Sequence, residues 1–84
     1  MTRLWPEGSP ITVHTDGTKE PNQFSWQGQT HAAQEITKRW RINLDWWREG
    51  VWRDYFKLTT KSGLLVVIFH DLQTGQWYLQ RLYD

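Results

Sequence analysis

One run of the sequence, Leu64-Leu65-Val66-Val67-Ile68-Phe69, is apolar at every position and rich in β-branched side chains. Successive side chains of a β-strand point to opposite faces, so a strand with this sequence needs an apolar cover on both sides. As a helix the run would be far too short to cross a bilayer. We therefore expect it to be a central strand of the domain.

The segments on either side of this strand predict an antiparallel meander. Residues 52–59 have the two-residue period of a half-buried strand, and Lys61–Gly63 supplies the turn that follows. A loop is expected at Asp71–Gly75, and the last strand at Gln76–Tyr83. One face of the strand at 52–59 holds Trp52, Asp54, Phe56 and Leu58. The opposite face of that strand holds Arg53, Tyr55, Lys57 and Thr59. In the last strand, one face holds Trp77, Leu79 and Tyr83.

Asp54 shares its alternation with apolar neighbours and is therefore predicted to point inward. A buried carboxylate requires a charged or hydrogen-bonding partner. The sequence offers Arg39, Arg41 or Arg81 for that role, and we expect a structural ion pair.

The first third of the chain indicates shorter strands. Ile11–Thr15 alternates apolar and polar residues and stops at a turn signal, Asp16-Gly17. Phe24 and Trp26 lie two apart and share one strand face, before a tight reversal at Gln27–Gln29. Met1–Pro10 contains two prolines and little periodicity, and is interpreted as a lead-in arm.

The stretch Thr30–Ile42 fits two patterns. As a helix it would place Ala32, Ala33, Ile36 and Trp40 on one face; as a strand it would align Ile36, Lys38, Trp40 and Ile42. The strand is favoured because the neighbouring segments are strands and a helix here has no obvious cap. The prediction is thus an all-β fold: an arm at 1–10 and one small domain at 11–84, with five or six antiparallel strands in a curved sheet or small open barrel.

Composition limits the function classes. The 84-residue chain has no cysteine, so it offers neither a disulfide nor a thiolate metal site, and a soluble, cytoplasmic protein is expected. Its three histidines lack the spacing of a metal site, and nucleophile elbows and phosphate-cradling glycine loops are absent. We therefore expect no enzyme activity, no cofactor and no metal.

Tryptophan and arginine are concentrated in one region. Four of the seven tryptophans fall within residues 40–52, and residues 38–61 hold seven basic residues against three acidic ones. Trp46 and Trp47 are adjacent, so at least one indole should lie near the surface of a one-sided sheet.

Two binding functions follow from this region: a non-catalytic protein-interaction module is the first prediction, and single-stranded nucleic-acid binding is the alternative. A surface that pairs cations with aromatic rings suits single-stranded nucleic acid, whereas tryptophan and arginine on a loop suit a protein partner. Steep salt dependence would distinguish nucleic acid from an aromatic protein contact. The oligomeric state is left open. The candidate binding residues are Arg41, Trp46, Trp47, Arg48, Arg53, Tyr55 and Lys57.

Three spaced elements resemble a small bacterial domain of unknown function: Asp45-Trp46-Trp47-Arg48, Arg53-Asp54-Tyr55-Phe56 and Gly75-Gln76-Trp77-Tyr78-Leu79. That domain occurs alone and at the C-terminus of ImuB-like proteins, which are inactive relatives of Y-family translesion polymerases. The similarity extends from about Ile11 to Asp84. It implies a DNA damage-tolerance context with repair or replication proteins, or DNA, as partners. It transfers no binding residue.

Overall fold

The computed structural model describes residues 2–17, 20–44 and 50–83. They form six antiparallel strands that pair in chain order, and the last strand returns to the first and closes a barrel. This confirms the all-β class, the strand interpretation of Thr30–Ile42 and the C-terminal meander. The strands are β1 (Arg3–Thr15), β2 (Pro21–Trp26), β3 (Gln29–Leu44), β4 (Val51–Thr60), β5 (Leu65–Asp71) and β6 (Trp77–Tyr83).

The two long strands each pair with two neighbours in succession. The first part of β1 pairs with β6 as far as Ile11, and its end pairs with β2. Similarly, β3 pairs with β2 over Gln29–Ala32 and with β4 from Ala33 onward. Residues 3–10, interpreted from sequence as a lead-in arm, instead belong to β1. Their strand is irregular between Leu4 and Ser9, which is where a proline that cannot donate to a ladder is tolerated.

The central strand β5 is buried on both faces, as its sequence predicts. Inside the barrel, Val66 and Ile68 belong to a core cluster that also contains Phe24 of β2 and Phe56 of β4. On the outside, Val67 and Phe69 form a second apolar cluster with Tyr55. The domain therefore has a main core within the barrel and a smaller one on its outer wall.

β-Bulges change the faces that strict alternation predicts. The register of β3 on β4 shifts between Ile36 and Lys38, so Ile36 packs toward the inner core while Lys38 and Trp40 lie outside. A shift in β6 has the same effect, because Tyr83 packs against the outer cluster and not beside Leu79. Each extra residue reverses the alternation of everything that follows it.

The predicted reversals are confirmed. Gln27 and Gly28 both have positive φ and connect the paired residues Trp26 and Gln29, as expected for a two-residue hairpin turn. In the hairpin between β4 and β5 the amide of Leu64 donates to Thr60 Oγ1 at 3.0 Å. Thr60 is fully buried there, with its hydroxyl satisfied.

Gly8 lets β1 approach the outer cluster closely. Its φ is +86°, and a Cβ at this position would lie 2.6 Å from Tyr78 Cβ and 3.0 Å from the Phe69 ring. A side chain is therefore excluded both by the backbone conformation and by the two aromatic residues beneath it.

We predict that Gly8→Ala destabilises the fold more than Gly28→Ala does. Gly28 also has a positive φ (+78°), but a Cβ there would meet nothing within 4 Å, so its variant carries only the backbone strain of about 1–2 kcal/mol. Gly8→Ala adds overpacking of about 1–3 kcal/mol. Urea unfolding measures both, with Gly17→Ala as an open-space control. Equal losses for Gly8→Ala and Gly28→Ala would contradict the close approach of β1.

Candidate nucleic-acid interface

A row of four aromatic residues crosses the outer wall of the barrel. Trp40, Tyr55, Phe69 and Tyr78 occupy directly opposed positions on β3, β4, β5 and β6. Consecutive ring centroids are 5.2, 5.2 and 5.1 Å apart, and the Trp40 and Tyr55 planes differ by only 6°. The row exists because each strand contributes one outward aromatic residue at the same level of the sheet.

The middle of this row is a packed structure. Tyr55 is 4% exposed and Phe69 1% exposed, and their ring faces contact one another and their neighbours. Trp40 and Tyr78, at the two ends, are half-buried. Only the ends of the row therefore offer ring surface to another molecule.

Cationic side chains lie over these rings. The Arg53 guanidinium carbon is 4.5 Å from the Phe69 centroid, and Lys38 Nζ is 5.5 Å from the Trp40 centroid. Lys57 and Arg81 lie 5.3 and 5.7 Å from the Tyr83 centroid. We call this surface the basic aromatic face; it comprises Lys38, Trp40, Arg53, Tyr55, Lys57, Phe69, Tyr78, Arg81 and Tyr83.

Two Arg-x-Tyr pairs orient the arginines. Arg53 donates a hydrogen bond to Tyr55 Oη at 3.2 Å, and Arg81 donates one to Tyr83 Oη at 3.1 Å. Residues two apart on a strand share a face, so each guanidinium folds along its own strand to the phenol. The hydrogen bond from Arg81, aided by its charge and that of Lys57, lowers the pKa of Tyr83 below its ordinary value.

The four cations of this face have no carboxylate partner among the described residues and can therefore interact with an anionic ligand. Within residues 2–17, 20–44 and 50–83, none of Lys38, Arg53, Lys57 and Arg81 makes an ion pair. Asp71 is opposite Arg53 in the strand register, but its Oδ1 accepts hydrogen bonds from the amides of the loop at Gln73 and Thr74. The face thus carries four positive charges without a carboxylate partner among the described residues.

Arg41 lies on the opposite side of the wall. Its Nε and Nη2 donate to the two Asp54 oxygens at 2.6 and 3.0 Å, and Arg39 Nη2 is 3.8 Å from the same carboxylate. This confirms the predicted ion pair of the inward-pointing Asp54, whose side chain is 9% exposed. The structure therefore separates Arg41 from Arg53, Tyr55 and Lys57, because side chains of successive positions along a strand face opposite ways.

The remaining predicted residues, Trp46, Trp47 and Arg48, lie outside the described residues. Sequence reasoning missed six members of the basic aromatic face: Lys38, Trp40, Phe69, Tyr78, Arg81 and Tyr83. The bulges hid three of them, since strict alternation assigns Lys38 to the face of Ile36, and Arg81 and Tyr83 to that of Leu79. The repeated Arg-x-Tyr spacing at 53–55 and 81–83 is a signal that would have identified the second pair.

Comparisons with known protein families, with curated proteins and with solved structures return no significant match. Among the described residues, no three His, Cys, Asp or Glu side chains come together as metal ligands would. The same parts of the chain contain no helix with the length and apolar character that crossing a membrane requires.

The ion pair predicts a defined pH dependence. The hydrogen bond from Arg41, together with the charges of Arg41, Arg39 and His70, lowers the pKa of Asp54 despite its burial. Because the folded pKa lies below the unfolded value of about 3.9, the stabilisation is complete above that value. It is lost as the pH falls through the folded pKa.

Accordingly, Asp54→Asn should destabilise the protein at about pH 7, and its deficit relative to the parent should shrink at about pH 3. Urea unfolding at both pH values measures this. Glu35→Gln, at an exposed site on β3, is the control and should stay within about 0.5 kcal/mol of the parent at about pH 7. A deficit for Asp54→Asn that does not change with pH would contradict the ion-pair assignment.

Proposed function

We propose that this domain is a non-catalytic module that binds single-stranded nucleic acid through the basic aromatic face. The observation that supports it is the group of four cations with no carboxylate partner in the described structure. Such cations can bind phosphate without a loss of free energy from broken internal ion pairs, because they form none in the described structure. Proteins that grip single strands without sequence preference use this combination of positive charge and aromatic side chains.

The geometry favours binding mainly through contacts between the cations and the phosphates of the strand. The central rings are buried, so bases would stack mainly at the half-buried ends of the row, at Trp40 or Tyr78. From Lys38 on β3 to Arg81 on β6 the face crosses three interstrand spacings, or about 14 Å. A single strand that crosses this width can bring more than one of its phosphates against the four cations.

A protein-interaction role in DNA damage tolerance is the second candidate. It derives from the Trp46-Trp47-Arg48 loop and from the resemblance to the small domain of ImuB-like proteins, and both remain predictions. One described observation favours it: Trp52, close to that loop along the chain, is 44% exposed. A cytoplasmic adaptor that touches both repair proteins and DNA would combine the two candidates on different surfaces.

The salt dependence of binding to a labelled oligothymidylate tests the nucleic-acid proposal. Each phosphate contact with a single strand contributes about −0.7 to the slope of log K against log salt, so four contacts predict about −2.8. Lys38→Gln and Lys57→Gln should each weaken binding and reduce the magnitude of the slope by about 0.7. Fluorescence anisotropy between about 50 and 200 mM salt gives both quantities.

Lys61→Gln is the matched control, because Lys61 is an exposed lysine in the turn between β4 and β5. It should leave the slope unchanged, and Lys57→Arg should retain binding because the charge is kept. Affinity that is insensitive to salt, or an equal effect of all three Lys→Gln variants, would refute binding by this face. A salt-insensitive complex with a protein would favour the second candidate instead.

A further inference from the structure

A cleft of about 410 Å³ opens on the inner side of the wall, away from the basic aromatic face. It lies between the end of β1, at Val13 and Thr15, and the part of β3 that pairs with β4. The opening arises because the β2–β3 pairing covers only Gln29–Ala32 of β3. Beyond that point β2 no longer pairs with β3, and the cleft lies between β3 and the end of β1.

The polar side of the cleft has an excess of positive charge. Arg41 directs two donors to Asp54, which leaves its Nη1 free of that carboxylate. Arg39 is 3.8 Å from Asp54, beyond hydrogen-bond distance, and its side chain is 46% exposed. Two guanidinium groups thus face one carboxylate, and Arg39 retains N–H donors for a ligand.

The other side of the cleft is apolar. Phe56 and Trp77 line it, with ring centroids 5.6 Å apart, together with Val13 and Leu72. His70 stacks on Trp77 at 4.3 Å with the planes 4° apart, which holds the indole in place. Arg39 lies 5.1 Å from the Phe56 centroid, so the cationic and apolar parts of the cleft adjoin directly.

We infer that this cleft binds a small aromatic oxyanion, with its acidic group between Arg39 and Arg41 and its ring against the partly exposed Trp77 and Leu72. A guanidinium fork matches the geometry of carboxylate and phosphate equally well. The volume lies within the range of small-molecule sites, which combine an apolar lining with a few placed polar groups. Asp54 acts as a positioning residue that holds Arg41 at the edge of the cleft.

This site is independent of the proposed nucleic-acid interface. Asp54 and Tyr55 are consecutive residues of β4, so their side chains point to opposite sides of the wall. A ligand in the cleft and a strand on the basic aromatic face would contact different residues. Failure of either proposal leaves the other standing.

NMR titration of the folded protein tests the cleft, with the Trp77 indole N–H as the reporter, assigned through Trp77→Phe. Phenyl phosphate and benzoate are the probes, and they distinguish a phosphate from a carboxylate head group. Inorganic phosphate supplies the anion without the ring, and benzyl alcohol the ring without the anion. We expect saturable shifts of Trp77 with at least one aromatic anion, and binding at least about tenfold weaker to either control compound. Benzyl alcohol lacks the charged hydrogen bonds, and inorganic phosphate lacks the apolar surface that the ring would bury.

Arg39→Gln should lower the affinity for the aromatic anion by about tenfold or more. Lys57→Gln, on the other face, should bind the anion with the affinity of the parent protein. Arg39→Lys keeps the charge without the fork and should restore binding only in part. Amide signals away from the substituted residue that match those of the parent protein show that each variant is folded. The inference is overturned if neither aromatic anion binds, if benzyl alcohol or inorganic phosphate binds equally well, or if Arg39→Gln has no effect.

Discussion

The burial of β5 on both faces is the constraint on which the rest of this small structure depends. A strand with four consecutive buried side chains, Val66 to Phe69, needs an apolar layer on each side. The closed barrel supplies the inner layer. In the described structure no second sheet or helix covers the outside. The outer layer consists of aromatic rings, the backbone of β1 at Gly8 and the stems of long cationic side chains.

This solution places charge directly above an apolar cluster. Lysine and arginine cover apolar surface with their methylene stems and keep their charged ends in water. Arg53 over Phe69 is the clearest example, because the guanidinium covers a ring that would otherwise be exposed and still donates to Tyr55. The residues that complete the outer layer are therefore the same residues that give the surface its positive charge. Stability and the proposed binding function share one set of side chains.

The strands and turns are predictable from sequence because their signals are local. The apolar run of β5, the alternation of β4 and the inward Asp54 each follow from the side-chain period of a strand. The assignment of faces fails after the bulges near Thr37 and Gln80, because a single inserted residue leaves no clear mark in an alternating pattern. Residues 3–10 were missed as a strand since their prolines and Gly8 suggest a loop, whereas the pairing with β6 tolerates an irregular stretch there.

The candidate site was predicted in part: Arg53, Tyr55 and Lys57 were assigned correctly to one outer face, because alternation along β4 is regular. The aromatic row itself required the register between four strands, which single-strand patterns do not contain. The sequence places Arg41 both among the candidate binding residues and among the possible partners of Asp54. The register decides for the second role, because Arg41 lies opposite Asp54 on the neighbouring strand.

The outer wall, and not the rest of the barrel, is the surface that we propose to bind nucleic acid. Mapping of NMR shifts on addition of oligothymidylate at low salt tests it most directly. We expect the largest changes at Lys38, Arg53, Lys57 and Arg81, with Asp54 and Arg41 little affected. Changes confined to the segment around residues 43–52, or no saturable change at all, would contradict it.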